Sequence, residues 1–228
     1  MNPAELFALQ TVLMNMETRF GRFASVLLVS ALAAAHAADF ELTPVEAERV
    51  ARGETVIRAN LDANQRRGTV RAAMWVNAPP SVVFQAMTRC SEALEFVPHL
   101  RSCQVRSRSV DDSTRLVEHQ VDFGWYAPRL SYVFRADLVA DRSIVFHQVS
   151  GDFKVNQGIW EFEPDATGER TLLRYRVQID PPGYVPNWLA RSTFRRDLPR
   201  MLADLRKHCE TGQIRSSHAN IFPDRLSQ

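Results

Sequence analysis

Between Leu100 and Asp180, apolar and polar residues alternate with a period of two, a pattern typical of β-strands that bury one face. Turn-forming breaks such as Asp111-Asp112 and Asp141-Arg142 interrupt the alternation. Short breaks favour pairing of successive strands as an antiparallel meander. The predicted strands are 101–110, 114–125, 129–139, 143–150, 156–164 and 170–179.

Shorter elements are predicted before the meander. A helix over 44–53 has Pro44 at its first position and Gly53 at its end. Between this helix and Pro98, the apolar spacing is first typical of strands and then typical of helices. The elements predicted there are strands at 54–61 and 68–77 and short helices at about 80–88 and 91–97.

After Pro181-Pro182-Gly183, the apolar spacing predicts a long helix over about 186–210. We expect a kink at Pro199, which lacks a backbone donor. The tail 211–228 is polar and aperiodic, and we expect it to be flexible. The helix carries one apolar stripe formed by Phe194, Leu198, Met201, Leu202, Leu205 and Cys209.

A one-sided sheet and an amphipathic helix must each bury an apolar face, and they can do so against each other. The sequence therefore predicts an α+β fold in which a curved antiparallel sheet wraps around the long C-terminal helix. Two short helices follow the early strands. Where a strongly curved sheet and a straight helix do not meet, an apolar cavity is expected.

The N-terminal residues have the order of an export signal. Arg19 and Arg22 precede an uncharged, mostly apolar run from Phe23 to Ala35, and Ala35-His36-Ala37 follows it with small residues at both cleavage-site positions. The run is too short for a transmembrane helix, which needs about 20 apolar residues. A buried helix is the alternative.

We therefore expect a signal peptide over 1–37, with translation starting at Met14 or Met16 rather than at Met1. The mature protein then begins near Ala38, in the periplasm or outside a bacterial cell. The predicted organisation continues with a helical lead-in over 38–54, one domain over 55–210 and the tail over 211–228.

Charge, cysteine content and motifs limit the ligands and sites that the chain could have. The formal net charge of +2 is too small to indicate nucleic-acid binding. Of the three cysteines, Cys90 and Cys103 are close in sequence and could form a disulfide in an oxidising compartment, or all three could be ordinary thiols. The sequence has no metal-ligand spacing, phosphate loop or nucleophile elbow, so we expect no metal and no cofactor.

The order of elements resembles the helix-grip fold of the START/Bet v 1-like (SRPBCC) superfamily. Within it, residues 55–210 are similar to the polyketide cyclase/dehydrase group, which includes the coenzyme Q-binding (Coq10-like) START proteins. The resemblance is carried by the C-terminal helix and by four segments: Val76-Asn77-Ala78-Pro79-Pro80-Ser81-Val82-Val83-Phe84, Glu95-Phe96-Val97-Pro98-His99-Leu100, Gly158-Ile159-Trp160-Glu161-Phe162-Glu163-Pro164 and Leu173-Arg174-Tyr175-Arg176-Val177.

The resemblance implies a pocket for a lipid, a quinone or a polyketide-like molecule, although the same side chains could instead fill a core. His119 is in phase with Val117 and Val121, so it is expected to point inward, whereas His147 and Arg135 are expected to point outward. The candidate ligand-binding residues are His119, Tyr132, Phe134, Phe146, Trp160, Phe162, Tyr175, Trp188, Phe194, Leu198 and Leu202.

Three functions remain open. The first is a monomeric, non-enzymatic carrier of a hydrophobic small molecule that makes transient contact with membranes. The second is a cyclase or dehydratase in which His119 and a tyrosine, Tyr132 or Tyr175, act as acid–base groups. The third is an interaction module that uses Trp125-Tyr126-Ala127-Pro128 or the C-terminal tail.

Overall fold

The computed structural model describes residues 41–221, without the side chains of Tyr126 and of 213–221. The predicted signal peptide and its start methionine lie outside the described residues. One compact unit begins at Pro44. Among the described residues, no helix has the length and hydropathy needed to cross a membrane.

Eight strands and five α-helices form the described part of this unit. The strands are β1 (Val56–Leu61), β2 (Gly68–Val76), β3 (Leu100–Arg108), β4 (Thr114–Val121), β5 (Leu130–Val139), β6 (Ser143–Gly151), β7 (Val155–Pro164) and β8 (Thr171–Asp180). The α-helices are α1 (Pro44–Ala51), α2 (Pro80–Thr88), α3 (Cys90–Phe96), α4 (Asn187–Ser192) and α5 (Leu198–Ile221).

All eight strands belong to one curved antiparallel sheet with the order β1-β2-β8-β7-β6-β5-β4-β3. The meander from β3 to β8 is therefore confirmed. Register shifts within the β3–β4 and β5–β6 pairs mark β-bulges or irregular pairing, which bend strands. The bent sheet has a concave face, and α2, α3 and α5 cover it.

The alternation along the strands sorts side chains between the two faces as predicted. On the outer face, Arg135 pairs with Asp137 at 2.8 Å and Arg106 pairs with Glu118. On the inner face, Ala136 and Val117 are buried. The α+β helix-grip architecture predicted from the sequence is confirmed.

Apolar packing and polar contacts both fix α5 on the sheet. Leu202, Leu205 and Cys209 are at most 1% exposed. Arg206 donates to the Gly53 carbonyl and the Thr55 hydroxyl, each at 3.0 Å, which ties the helix to the segment before β1. These contacts hold α5 along the concave face, as the apolar stripe predicts.

The helix departs from prediction in two places. The irregularity expected at Pro199 is a π-helical turn at Thr193–Asp197, just before the proline, and α5 is α-helical from Leu198. A π-turn adjusts the backbone upstream of the missing proline donor. α5 also continues to Ile221, past the helix end predicted at about residue 210. Extending an already formed helix costs far less than nucleating one.

A disulfide joins Cys90, at the start of α3, to Cys103 in β3, with 5.1 Å between the Cα atoms. Cys209 is a buried free thiol. The bridge closes a short loop that contains the whole of α3, so this helix is linked covalently to the edge of the sheet.

Candidate ligand-binding cavity

A cavity of about 200 Å³ lies between the concave face of the sheet and helices α2, α3 and α5. Its wall is mainly apolar, and it spans the sheet from β3 to β8. Its lining comprises Met87, Thr88, Cys90, Ala93, Phe96, Val97, Cys103, Arg115, Val117, His119, Tyr132, Phe134, Ala136, Leu138, Ile144, Phe146, Asn156, Trp160, Tyr175, Met201 and Leu205.

Aromatic rings form much of the sheet side of the wall. Trp160 and Tyr175 are stacked, with ring centroids 3.7 Å apart and planes inclined by 15°. Phe134 and Phe146 meet edge to face at 6.1 Å. These neighbouring rings sit on adjacent antiparallel strands, where cross-strand pairing brings them together.

Gly158 makes room for the ring of Phe146. The two residues are paired between β7 and β6. A Cβ atom added to Gly158 would lie 2.2 Å from the Arg176 carbonyl oxygen and 2.8 Å from Cζ of Phe146. Any side chain at this position would therefore force the strands or the ring to move, so the absence of a side chain helps to shape the cavity.

His119 and Tyr132 form a polar pair inside this apolar wall. The His119 Nδ1 atom is 3.2 Å from the Tyr132 hydroxyl, and the imidazole meets the ring of Phe134 edge to face at 4.9 Å. Burial lowers the pKa of His119 from 6.5 to about 4. Burial also raises the pKa of Tyr132 well above its usual range. Both groups are therefore uncharged at neutral pH.

Two further polar side chains face the cavity without a hydrogen bond to any other described residue. They are the Tyr175 hydroxyl and the side-chain amide of Asn156. Burial raises the pKa of Tyr175, and the nearby Tyr132 adds to the increase. Both residues are half-buried in the cavity wall, so these polar groups are open to a ligand or to water.

Arg115 is the charged residue of the lining, and its charge is balanced. Its guanidinium donates to both carboxylate oxygens of Asp112, at 2.8 and 2.6 Å, and to the Thr88 carbonyl at 2.9 Å. These bonds lower the pKa of Asp112. The forked geometry is the strong form of the arginine–carboxylate pair.

Six of the eleven predicted ligand-binding residues line this cavity: His119, Tyr132, Phe134, Phe146, Trp160 and Tyr175. They share the inner faces of β4 to β8, where strand alternation alone fixes the direction of each side chain.

The other five predicted residues lie elsewhere. Phe162 is buried beyond the cavity against Phe84 of α2, with ring centroids 5.8 Å apart. Leu198 and Leu202 fill the core, because Met201 and Leu205 occupy the side of α5 that faces the cavity. Phe194 packs against the core within the π-turn, and Trp188 is 50% exposed.

Fifteen lining residues lie outside the predicted set, and Arg115 and Asn156 are the two on β-strands with charged or amide side chains. Arg115 is in phase with Val117 and His119 on β4, and Asn156 is in phase with Trp160 on β7. The alternation that identified the aromatic residues could also have found these two. Among the described residues, no cluster of His, Cys, Asp or Glu could hold a metal ion.

The low pKa of His119 predicts a pH-dependent loss of stability. Between pH 4 and 6.5 the unfolded chain binds a proton at this histidine and the folded chain does not, so the free energy of unfolding falls as pH falls. The loss for this group is about 3 kcal/mol across the window. Urea unfolding at several pH values should give a flatter profile for His119→Phe than for the wild type.

His147→Gln is the matched control, because His147 is paired with Arg135 across strands and points outward. Its profile should follow that of the wild type. Parallel profiles for the wild type and His119→Phe would contradict the assignment of a buried, neutral His119.

Solved structures with this architecture come from several organisms. The chain is similar to human STARD10, with a TM-score of 0.57 and 10% identity over 74% of each chain. A STAR-related lipid transfer protein from Xanthomonas axonopodis gives 0.54 and 16% identity, covering 68% of this chain and 92% of that one. The Zhui aromatase/cyclase from a Streptomyces species gives 0.51 and 16%, covering 71% and 96%.

At sequence identities of 10–16%, the similarity to these solved structures shows a shared fold. Among curated proteins, none matches the sequence significantly. A family model described as polyketide cyclase / dehydrase and lipid transport matches residues 76–206, a range that includes every residue of the cavity lining. The match covers more than half of the chain, from the end of β2 into α5. The chain therefore belongs to the polyketide cyclase/dehydrase and lipid transport family.

Proposed function

We propose that the chain is an exported carrier that holds a hydrophobic small molecule in the cavity under α5. The observation that carries this proposal is an apolar, ring-lined cavity with a few polar groups that lack protein partners. Small-molecule sites commonly combine an apolar wall with a few polar groups that orient the ligand. A lipid, a quinone or a polyketide-like molecule would satisfy such a wall.

The cavity volume limits how much of a ligand fits. An apolar cavity of about 150 Å³ holds one benzene molecule, so about 200 Å³ accommodates a small ring system or part of a longer molecule. Met87 and Met201 line the cavity, and their unbranched side chains adapt readily to ligand shape. A larger ligand would enter by displacing these two side chains.

The enzyme alternative is a cyclase or dehydratase in the same cavity, and the His119–Tyr132 pair is the observation in its favour. An efficient general base or acid has a pKa near the working pH. With a pKa of about 4, His119 is a weak base at neutral pH, and Tyr132 is a weaker acid than an exposed tyrosine. This mismatch favours the carrier. His119→Ala would abolish turnover by an enzyme without abolishing ligand binding.

Filling the cavity should remove a co-purified ligand. In Ala136→Phe, a large ring would occupy space at a lining position that is 4% exposed. Native mass spectrometry of protein purified from its own host should show a bound hydrophobic molecule in the wild type and at least tenfold less in this variant, because the cavity is of ring size.

Val145→Phe provides a matched control, because Val145 lies on the outer face of β6 and is 41% exposed. It should retain the ligand. Wild-type protein with an unliganded mass, and with no lipid in its solvent extract, would contradict the carrier proposal.

Export is part of the proposal, and the disulfide supports it because such bridges persist mainly outside the reducing cytosol. The bridge spans 13 residues, and closing a loop of this size stabilises the folded state by about 3 kcal/mol in the chain-entropy treatment. A chain retained in a reducing compartment would lack that contribution.

The export proposal predicts where the mature chain begins. After expression of the full sequence in a bacterial host, the periplasmic fraction should contain protein that starts at or near Ala38, as read by intact mass. Ala37→Leu should block this cleavage because the cleavage site requires a small residue, whereas Ala34→Leu should not. Recovery of uncleaved wild-type protein only from the cytosol would contradict export.

Transient membrane contact is also proposed, through one surface defined by Trp188, Arg191 and Arg195 on α4 and the π-turn. Trp188 is 50% exposed, and both arginines are exposed. Arg191 donates to the Asn187 carbonyl and Arg195 to the Gln65 side chain, and neither pairs with a carboxylate among the described residues. The carboxylate of Asp197, at the end of the π-turn, faces His99 instead, with Oδ2 3.6 Å from Nε2. An exposed tryptophan beside arginines suits an anionic bilayer surface.

Vesicle co-sedimentation tests this surface. Binding to vesicles that contain anionic lipid should weaken roughly fivefold for each arginine changed to Gln, and it should weaken further in Trp188→Ser. Arg135→Gln, on the outer face of the sheet, should bind like the wild type. Equal binding to neutral vesicles, or unchanged binding by Arg191→Gln/Arg195→Gln, would contradict the proposal.

A further inference from the structure

The polar groups of the cavity carry no net charge. At one end, His119, Tyr132, Tyr175 and Asn156 offer hydrogen-bond donors and acceptors but no ionised group at neutral pH. His119 contacts the rings of Tyr132 and Phe134, and among the described residues no carboxylate forms an ion pair with it that could favour a protonated imidazole. A ligand carboxylate buried at this end would lose its hydration without gaining a positive partner, which is costly.

The other end of the cavity does not supply an anion site either. Arg115 already forms two hydrogen bonds with Asp112 and one with the Thr88 carbonyl. A ligand carboxylate placed here would meet a guanidinium whose charge Asp112 already balances, and it would be repelled by the Asp112 carboxylate, so it would gain little net attraction. The guanidinium therefore acts as a fixed part of the wall.

The wall between these ends favours flat molecules. The stacked Trp160–Tyr175 pair and the edge-to-face Phe134–Phe146 pair present ring surfaces to the cavity. Aromatic ligands gain from stacked or edge-to-face contact with such rings beyond the burial of area alone. The volume of about 200 Å³ also suits one small ring system better than an extended acyl chain.

We infer that the cavity selects an uncharged, flat aromatic molecule with a hydroxyl or carbonyl oxygen, and that it rejects carboxylates. This inference rests on the proposed function and narrows it to one ligand class. The oxygen of the ligand would meet Tyr132, Tyr175 and Asn156, where the Tyr175 hydroxyl and the Asn156 amide lack protein partners. The ring would lie against Phe134, Phe146 and Trp160.

Three probes that share one ring system test the inference: 2-naphthol, naphthalene and 2-naphthoate, titrated calorimetrically into the delipidated full domain at pH 7. The hydroxyl of 2-naphthol should improve affinity about three- to tenfold over naphthalene, the usual net gain from a hydrogen bond. The carboxylate of 2-naphthoate should bind at least about 100-fold more weakly than 2-naphthol, because burying an unpaired ion costs several kcal/mol.

Single substitutions test which residues produce the preference for 2-naphthol over naphthalene. Asn156→Leu and Tyr132→Phe should each reduce the advantage of 2-naphthol over naphthalene while leaving naphthalene binding within about twofold, because they remove polar atoms and keep the wall apolar. Tyr184→Phe is the control, because Tyr184 is 52% exposed and does not line the cavity. It should match the wild type with all three probes.

The outcomes separate this inference from the carrier proposal. If 2-naphthoate or palmitate binds more tightly than 2-naphthol, the inferred ligand class is wrong, although a hydrophobic carrier still stands. Equal binding of naphthalene and 2-naphthol would likewise overturn the role of the polar end. If neither these probes nor palmitate binds, and the purified protein carries no lipid, both the inference and the carrier proposal fail.

Discussion

The structure depends on the mutual burial of two apolar surfaces that differ in shape. The sheet presents a concave inner face, and α5 presents a nearly straight stripe that contains Leu202, Leu205 and Cys209. Contact between them is complete along part of the helix and incomplete beside Met201 and Leu205, where the cavity remains. Burial of apolar area drives the association, and the mismatch in curvature leaves a space. The same packing therefore supplies stability and a binding site.

Local patterns in the sequence are sufficient to predict much of this architecture. Strand alternation places His119 and the aromatic residues of β5 to β8 on the inner face, because successive side chains on a strand point in opposite directions. The order of elements then limits the packing to a helix laid across a meander. These rules operate over a few residues, so a single sequence is sufficient to apply them.

The remaining features depend on packing between distant elements. Alternation shows that Phe162 points inward, but only the position of α2 decides that Phe84 covers it. The apolar stripe of α5 is broad, and the rotation of the helix decides that Met201 faces the cavity and Leu202 the core. Arg115 is a different case: its phase points inward, and its charge is tolerated there because Asp112 and the Thr88 carbonyl satisfy it.

The covalent link between α3 and β3 also has a mechanical consequence. Both of its cysteines belong to the cavity wall, so the bridge holds that side of the wall as a rigid frame. The π-helical turn at Thr193–Asp197, between α4 and α5, interrupts the regular ladder of backbone hydrogen bonds. The disulfide thus restrains the position of α3 relative to β3 on one side of the cavity wall. Reduction of the bridge would remove this covalent restraint and leave α3 held only by non-covalent packing.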